Sequence, residues 1–280
     1  MSEPSAAGTI DPPAASAEAR RLDDAERSRT QIERTTARFP DADLADAYRI
    51  QAAWRELRLA RGEQLVGHKI GLTSRAMQAA MNITTPDSGF LTDAMMFPAG
   101  STVTAADHLD AKLEVELAFV LAHDLDADVV ERPGFGVESV LEVTEYVTPA
   151  LELIAARTFR RDPSSGITRT VVDTIADNAA NAGVVVGGRR VDPDGVDLRW
   201  VGALLERNGV IEETGLAAGV LGHPAQGIVW LARRYAEQGL ALRAGELVLA
   251  GSFTRPVDVR AGDRFRADYG ALGAFEVMFS

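Results

Sequence analysis

Between residues 22 and 61 the apolar positions recur with a helical period. Ala47, Ile50, Trp54 and Leu57 fall on one face, with Leu44 and Tyr48 close to it. The spacing predicts two helices parted at Phe39-Pro40, because the residue before a proline is driven out of helical backbone. From 66 to 104 the pattern turns short and irregular, punctuated by Gly67, Gly71, Pro86, Gly89 and Pro98, and reads as loop-rich. Residues 112–122 alternate as a strand. Residues 137–147 predict a helix, 150–156 a strand or a helix, 172–182 a helix, and 183–187 a buried strand. Asn208-Gly209 between two apolar runs predicts a β-hairpin over 198–214. Residues 224–238 form an amphipathic pattern with proline in its first turn, a helix, and 245–280 reads as short strands cut by Ala261-Gly262-Asp263 and Tyr269-Gly270.

There is no internal repeat and no regular strand–helix alternation, which argues against a doubly wound sheet or a TIM barrel and leaves a β-rich α+β fold. Residues 1–20, rich in Ala, Ser, Pro and acids, lack the basic start and apolar stretch of a signal peptide and are expected to be a disordered tail. One domain is expected over 21–280, helical and loop-rich to 104 and β-rich from 105.

Composition narrows the chemistry. The absence of cysteine removes disulfides, zinc-thiolate sites and thiol nucleophiles, and makes a cytoplasmic location the default expectation. A formal charge of -12 argues against nucleic acid or an anionic membrane as partner. An anionic small substrate stays open, since a bound metal ion can invert the local field. No apolar run approaches the roughly 18 residues of a membrane span. Basic residues are arginine except for Lys69 and Lys112, so each lysine is a better functional candidate than one drawn from a lysine-rich surface.

Phosphate-binding loops, a complete dinucleotide fingerprint, His-Glu-x-x-His and the Gly-x-Ser-x-Gly elbow are all missing. The four histidines are scattered without ligand spacing, and His223, before Pro224, reads as a helix-start residue. In the strand over 112–122, alternation puts Lys112, Glu114 and Glu116 on one face and Leu113, Val115 and Leu117 on the other. Two neighbouring carboxylates beside a core need a positive partner, and a hard cation such as Mg²⁺ or Mn²⁺ would serve. An exposed edge strand with a solvated acidic face fits the spacing as well. Glu152, a lone acid in an apolar run, is either a third buried carboxylate or a surface-facing acid. Lys69, among apolar and glycine residues, could donate protons or pair with a carboxylate such as Asp87; each could also be an ordinary surface or turn residue.

Taken together, the motifs resemble the hydratase and decarboxylase branch of the fumarylacetoacetate hydrolase superfamily. They are Gly67-His68-Lys69-Ile70-Gly71-Leu72-Thr73-Ser74, Glu114-Val115-Glu116-Leu117-Ala118-Phe119-Val120, Tyr146-Val147-Thr148-Pro149-Ala150-Leu151-Glu152-Leu153-Ile154 and Asp173-Thr174-Ile175-Ala176-Asp177-Asn178-Ala179-Ala180-Asn181-Ala182-Gly183. Arg207-Asn208-Gly209-Val210-Ile211-Glu212-Glu213-Thr214-Gly215, Gly251-Ser252-Phe253-Thr254-Arg255-Pro256-Val257 and Asp268-Tyr269-Gly270 follow in order. The chain departs from the pattern in its long N-terminal segment and in the loop around 131–136.

The resemblance implies a mixed β-sandwich roll with flanking helices, and Mg²⁺ (or Mn²⁺) held by Glu114, Glu116 and Glu152. It implies that Lys69 and Asp87 line the reaction centre and share its proton transfers. It further implies water addition to a 2-hydroxy-2,4-dienoate or 2-oxo-enoate diacid, of the 2-oxo-hept-4-ene-1,7-dioate type, in aromatic-compound catabolism. The protein is then expected to be a homo-oligomer with a small-molecule diacid as its partner. The distal carboxylate wants a cation, for which Arg255 is the candidate and Arg157 and Arg169 the alternatives. Asn178 and Ser252 are further substrate-binding candidates; Asn178 and Asn181, at i and i+3, could instead tie a helix down. Three other readings compete. Decarboxylation of a 2-oxo-3-hexenedioate could use the same site, and a non-catalytic accessory subunit could keep the same fold. Hydrolysis of an acylpyruvate commonly takes a His-Glu pair from an N-terminal helix, and no such pair precedes Lys69.

Overall fold

In the computed structural model, which describes residues 8–74, 78–79 and 83–280, the chain opens with helix α1 (Pro12–Ser28). The composition that reads as a disordered tail is here that of a good helix start. Asp11 accepts from the Ala14 N–H at 2.8 Å, Pro12 stands where no helical N–H partner exists, and alanine is a strong helix former. Ala15, Ala19 and Leu22 then bury one stripe against Ala47, Ile50 and Trp54 of α3 (Leu44–Ala60), past the single turn α2 (Thr35–Arg38). Buried Glu18 is neutralised by Arg21 and Arg38, at 2.8 and 2.5 Å. The expectation of disorder is therefore corrected for residues 12–20, while 1–7 lie outside the described residues. The helical stretch breaks at Phe39-Pro40 as expected, and also at Arg29, whose left-handed backbone (φ 55°) ends α1.

Two sheets follow. The first runs in the order β2 (Asp87–Thr92), β1 (Leu65–Gly71), β10 (Leu247–Leu249), β5 (Lys112–Leu121), β6 (Thr144–Ile154), β7 (Asn181–Val186) and β3 (Met96–Pro98), with β11 (Val257–Asp258) added to β5. The second runs β4 (Thr102–Val103), β13 (Ala274–Phe279), β12 (Arg264–Asp268), β8 (Gly202–Arg207) and β9 (Val210–Leu216). Leu113, Val115, Leu117 and Phe119 of β5 share one apolar cluster with Leu205, Phe265, Val277 and Phe279 of the second sheet. The alternation read from the sequence is thus realised: odd positions of β5 build the inter-sheet core, and Glu114 and Glu116 are left to the opposite face. Mixed sheets with flanking helices make this an α+β fold of the expected type.

Three expectations change. Residues 66–104, read as loop-rich, contain the antiparallel pair β1–β2, because both strands are buried and carry polar groups inward. The helix expected over 137–147 stops at Glu142, where β-branched and aromatic residues from Thr144 to Thr148 pair into β6. The helix expected over 172–182 ends at Ala176, and β7 begins at Asn181. The 208–209 hairpin and the helix α7 (Ala225–Ala236) form as predicted, α4 to α6 being the short helices Ala127–Val130, Val137–Glu142 and Val171–Ala176. Among the described residues no helix is long and apolar enough to cross a membrane.

Candidate metal and catalytic site

Register assembles the site. Glu114 on β5 lies directly opposite Glu152 on β6, with Glu116 two residues further along the same face. Like charges placed directly across a strand pair repel, so the arrangement is costly unless a cation sits among them. Each of the three offers a carboxylate oxygen, and these oxygens lie within 4.8 Å of one another. Glu116 Oε2 accepts from the Gly251 N–H at 2.9 Å. Gly251 has φ 116°, and a Cβ there would fall 2.2 Å from Thr73 Oγ1, so the N–H reaches Glu116 only because this residue is glycine. Glu152 Oε1 accepts from Asn181 Nδ2 at 2.8 Å, whereas Glu152 Oε2, although buried, has no hydrogen-bond partner among the described residues. A cluster of oxygen donors with one buried oxygen left over fits a hard divalent ion.

Lys69 reaches the cluster from β1. Its Nζ donates to the Ala179 carbonyl at 3.0 Å and stands 3.3 Å from Glu152 Oε1. Burial alone would push this ammonium down, but Glu152, Asp87, Glu116 and Glu114 outweigh it and hold the pKa above the usual lysine value. Asp87, opposite Gly71 in the β1–β2 pair, is pushed up by burial and by Glu152, against the pull of Lys69, the Gly71 N–H and Arg169. Burial and the repulsion of Glu152 also raise Glu114, to about 7, with Lys69 and Arg160 opposing. Glu116 is raised for the same two leading reasons. The arrangement therefore brings a buried ammonium, a carboxyl of raised pKa and three carboxylates that could hold a metal ion to one buried face.

The other expected residues are placed differently. Arg255 is 84% exposed and paired with Glu213 at 2.7 Å, so it is not gathered with the buried groups. The Asn178 amide is engaged by the main chain of β2, accepting from Phe90 N–H at 2.9 Å and donating to Phe90 O at 3.0 Å. Ser252 lies in the turn after Gly251, its Oγ donating to the Thr254 carbonyl at 2.9 Å. Arg157 is fully occupied, bonded to Asp177 and to the carbonyl of Asn181; Arg169 pairs with Asp177 at 3.2 Å. Sequence reasoning missed the Ala179 carbonyl, the Gly251 N–H and Arg160, whose positions depend on backbone that no residue pattern announced.

One local feature explains much of this. Asn178, Ala179 and Ala180 all have left-handed backbone (φ 52°, 49° and 65°). For non-glycine residues this costs roughly 1–2 kcal/mol each. Arg157, 1% exposed, offsets it by binding Asp177 on one side of the turn and the Asn181 carbonyl on the other.

Comparison with known proteins agrees with this geometry. The profile of the fumarylacetoacetate (FAA) hydrolase C-terminal family matches residues 62–279, and the chain belongs to that family. It is 51% identical to a 2-oxo-hept-4-ene-1,7-dioate hydratase of Escherichia coli over 261 residues, 93% of this chain and 96% of the other. It is 38% identical to a 2-keto-4-pentenoate hydratase of Paraburkholderia xenovorans, over 86% of each chain. Among solved structures, 4-oxalocrotonate decarboxylase from Pseudomonas putida G7, complexed with magnesium and adipate, superposes with a TM-score of 0.90 at 33% identity. That match covers 97% of this chain and 99% of the other.

Proposed function

We propose that this chain is a divalent-metal-dependent hydro-lyase that adds water to a 2-oxo-enoate diacid of the 2-oxo-hept-4-ene-1,7-dioate type, giving a 4-hydroxy-2-oxo diacid. The observation that carries the reading is the convergence of Glu114, Glu116 and Glu152 beside the Lys69 ammonium. It occurs in a chain 51% identical to a hydratase of that substrate. Mg²⁺ or Mn²⁺ is the ion proposed, held by the three glutamates, where it would stabilise negative charge on a substrate oxygen.

The protein's own groups do the rest. Starting from the dienol, the proton on the C2 hydroxyl is lost and one is delivered at C5, leaving a conjugated 2-oxo-3-enoate. Water then adds hydroxyl at C4 and a proton at C3, so the balance is one water gained. Lys69, fixed between Glu152 and the Ala179 carbonyl, supplies a positive hydrogen-bond donor to the developing oxyanion. Lys69 and Asp87 share the proton transfers, for which a carboxyl raised by burial is suited. Ser252, one residue beyond the glycine that binds Glu116, is the substrate contact the arrangement favours. Arg255 would first have to leave Glu213, and Asn178 to leave Phe90.

The test is to generate 2-hydroxyhepta-2,4-dienedioate, follow loss of dienol absorbance with Mg²⁺ or EDTA, and weigh the product. Gain of one water, abolished by EDTA and by Glu114→Ala, is expected; no turnover of any dienoate by the metal-loaded protein would sink the reading. The match to a 4-oxalocrotonate decarboxylase at a TM-score of 0.90 favours a second reading, loss of CO₂ from a 2-oxo-3-hexenedioate, and product mass separates the two. A cytoplasmic location and a homo-oligomer belong to the same proposal. Exposed Trp200, Val210 and Ile211 around the edge strand β9 support self-association, which sedimentation would reveal.

A further inference from the structure

We propose that Asn181 is a positioning residue that aims Glu152 at the metal ion, and that the left-handed turn before it exists to hold it there. The inference rests on the metal-dependent reading above and goes beyond it, because Asn181 is not itself a ligand.

Glu152 has two oxygens in different situations. Oε1 is held by the Asn181 amide at 2.8 Å and faces the Lys69 ammonium at 3.3 Å. Oε2 has no partner. A carboxylate clamped through one oxygen by two donors can turn only so as to present the other. The amide orientation follows from charge, since the reverse would set a carbonyl oxygen against the carboxylate. Asn181 is 1% exposed, so the N–H that holds Oε1 is shielded from bulk solvent.

The turn supplies the rest of the clamp. Left-handed backbone at Asn178, Ala179 and Ala180 sends two side chains that a helix would align to separate targets. Asn178 fastens to both main-chain groups of Phe90 on β2, while Asn181 starts β7 and reaches Glu152 on β6. Between them the Ala179 carbonyl faces inward and takes Lys69. Close approach is possible because residue 89 is glycine: a Cβ there would stand 2.6 Å from the Asn178 carbonyl oxygen. Arg157 locks both ends, and the turn thus sets the ammonium and the ligand carboxylate as one unit. Side chains that orient a ligand without touching the ion commonly change metal affinity by about 10–100-fold when removed.

The test titrates Mn²⁺ into wild type, Asn181→Ala, Asn181→Ser, Glu152→Gln and the Asn181→Ala/Glu152→Gln double variant. Free Mn²⁺ is counted by electron paramagnetic resonance, with circular dichroism as the folding check. Asn181→Ala is expected to weaken Mn²⁺ by about 10–100-fold, and Asn181→Ser, which keeps a donor, to lose less. In the Glu152→Gln background, Asn181→Ala should cost little further affinity, because the anionic carboxylate it orients is already gone. A merely structural role would give losses that add in the double variant, and that result would overturn the proposal. So would affinity within twofold of wild type in folded Asn181→Ala; if this variant does not fold, full wild-type affinity in Asn181→Ser does the same. Wild type that binds no Mn²⁺ would instead remove the metal-dependent reading, and this inference with it.

Discussion

Replacing Lys69 by methionine separates the two tasks assigned to the buried face. Methionine keeps the length of the side chain and removes its charge. The ammonium lies 3.3 Å from Glu152 Oε1, an attraction of about 5 kcal/mol at an effective dielectric of 20. Desolvation of both groups cancels part of this, so the metal-free variant should lose about 3–5 kcal/mol, the usual result of breaking a buried pair. Towards a divalent cation the sign reverses. Lys69 is a positive charge beside a proposed ligand, and its removal takes away repulsion, so Lys69→Met should bind Mn²⁺ at least as tightly as wild type. Catalysis should move the other way. Loss of a positioned proton donor reduces kcat by about 10²–10⁴-fold. The pair of measurements is dienol decay at saturating Mg²⁺ and direct Mn²⁺ titration. A variant that keeps kcat within tenfold would refute the catalytic assignment. One that loses Mn²⁺ together with activity would show that Lys69 holds the site together and has no separate chemical part.

Three further outcomes test the framework around the site. Leu22→Ala should cost about 2–5 kcal/mol in urea unfolding, since Leu22 is fully buried under α3; no effect would return α1 to the status of a dispensable tail. Asp177→Asn leaves the buried Arg157 and Arg169 without their shared counter-charge, and should lower stability by about 3–5 kcal/mol. Its melting temperature should fall by roughly 5–15 °C, and a shift under 2 °C would contradict the role given to that pair. His108 is held below the ordinary histidine value by burial and by Arg157, with Glu26 and Asp107 opposing. The native state therefore resists its protonation: the contribution is complete above about pH 6.5 and lost as pH falls below it. His108→Phe should flatten the decline of melting temperature between about pH 7 and 5, and an unchanged slope would exclude this histidine as a source of it.

Legibility in the sequence followed how local the determining physics is. The pairing of Glu114 with Glu116 needed only strand alternation, and the structure keeps both on the face away from the inter-sheet core. The Asn208-Gly209 hairpin needed only a two-residue turn, and α7 only its own period. Placing Glu152 opposite Glu114 needed the register of β6, set by pairing along the whole of β5, so its burial could not be decided from its own neighbours. Lys69 and Asp87 sat in glycine- and proline-marked sequence that resembles a loop. What makes them strand residues is antiparallel pairing of β1 with β2 and parallel pairing of β1 with β10, about 180 residues later in the chain.

The segment from Asp177 to Asn181 shows why spacing alone misleads at a site. Its two alanines and the capped helical turn before it favour continuing that helix, although Asp177, Asn178 and Asn181 are weaker helix formers. On a helix Asn178 and Asn181 would share a face and could serve one ligand together. Bonds from outside the segment override the preference: Arg157 takes the Asp177 side chain and the Asn181 carbonyl, and Phe90 takes the Asn178 amide. Each requires that the chain leave the helix at Asp177, and none is visible in the segment itself. A left-handed turn of non-glycine residues is unfavourable locally, so it persists only where tertiary contacts over-determine it. Here those contacts converge on the oxygen of Ala179 and the amide of Asn181, the two groups that touch Lys69 and Glu152. The residue pattern failed at this point because the backbone is shaped by what the site must hold, and a helix there would take the Ala179 carbonyl from the ammonium and the Asn181 amide from the carboxylate.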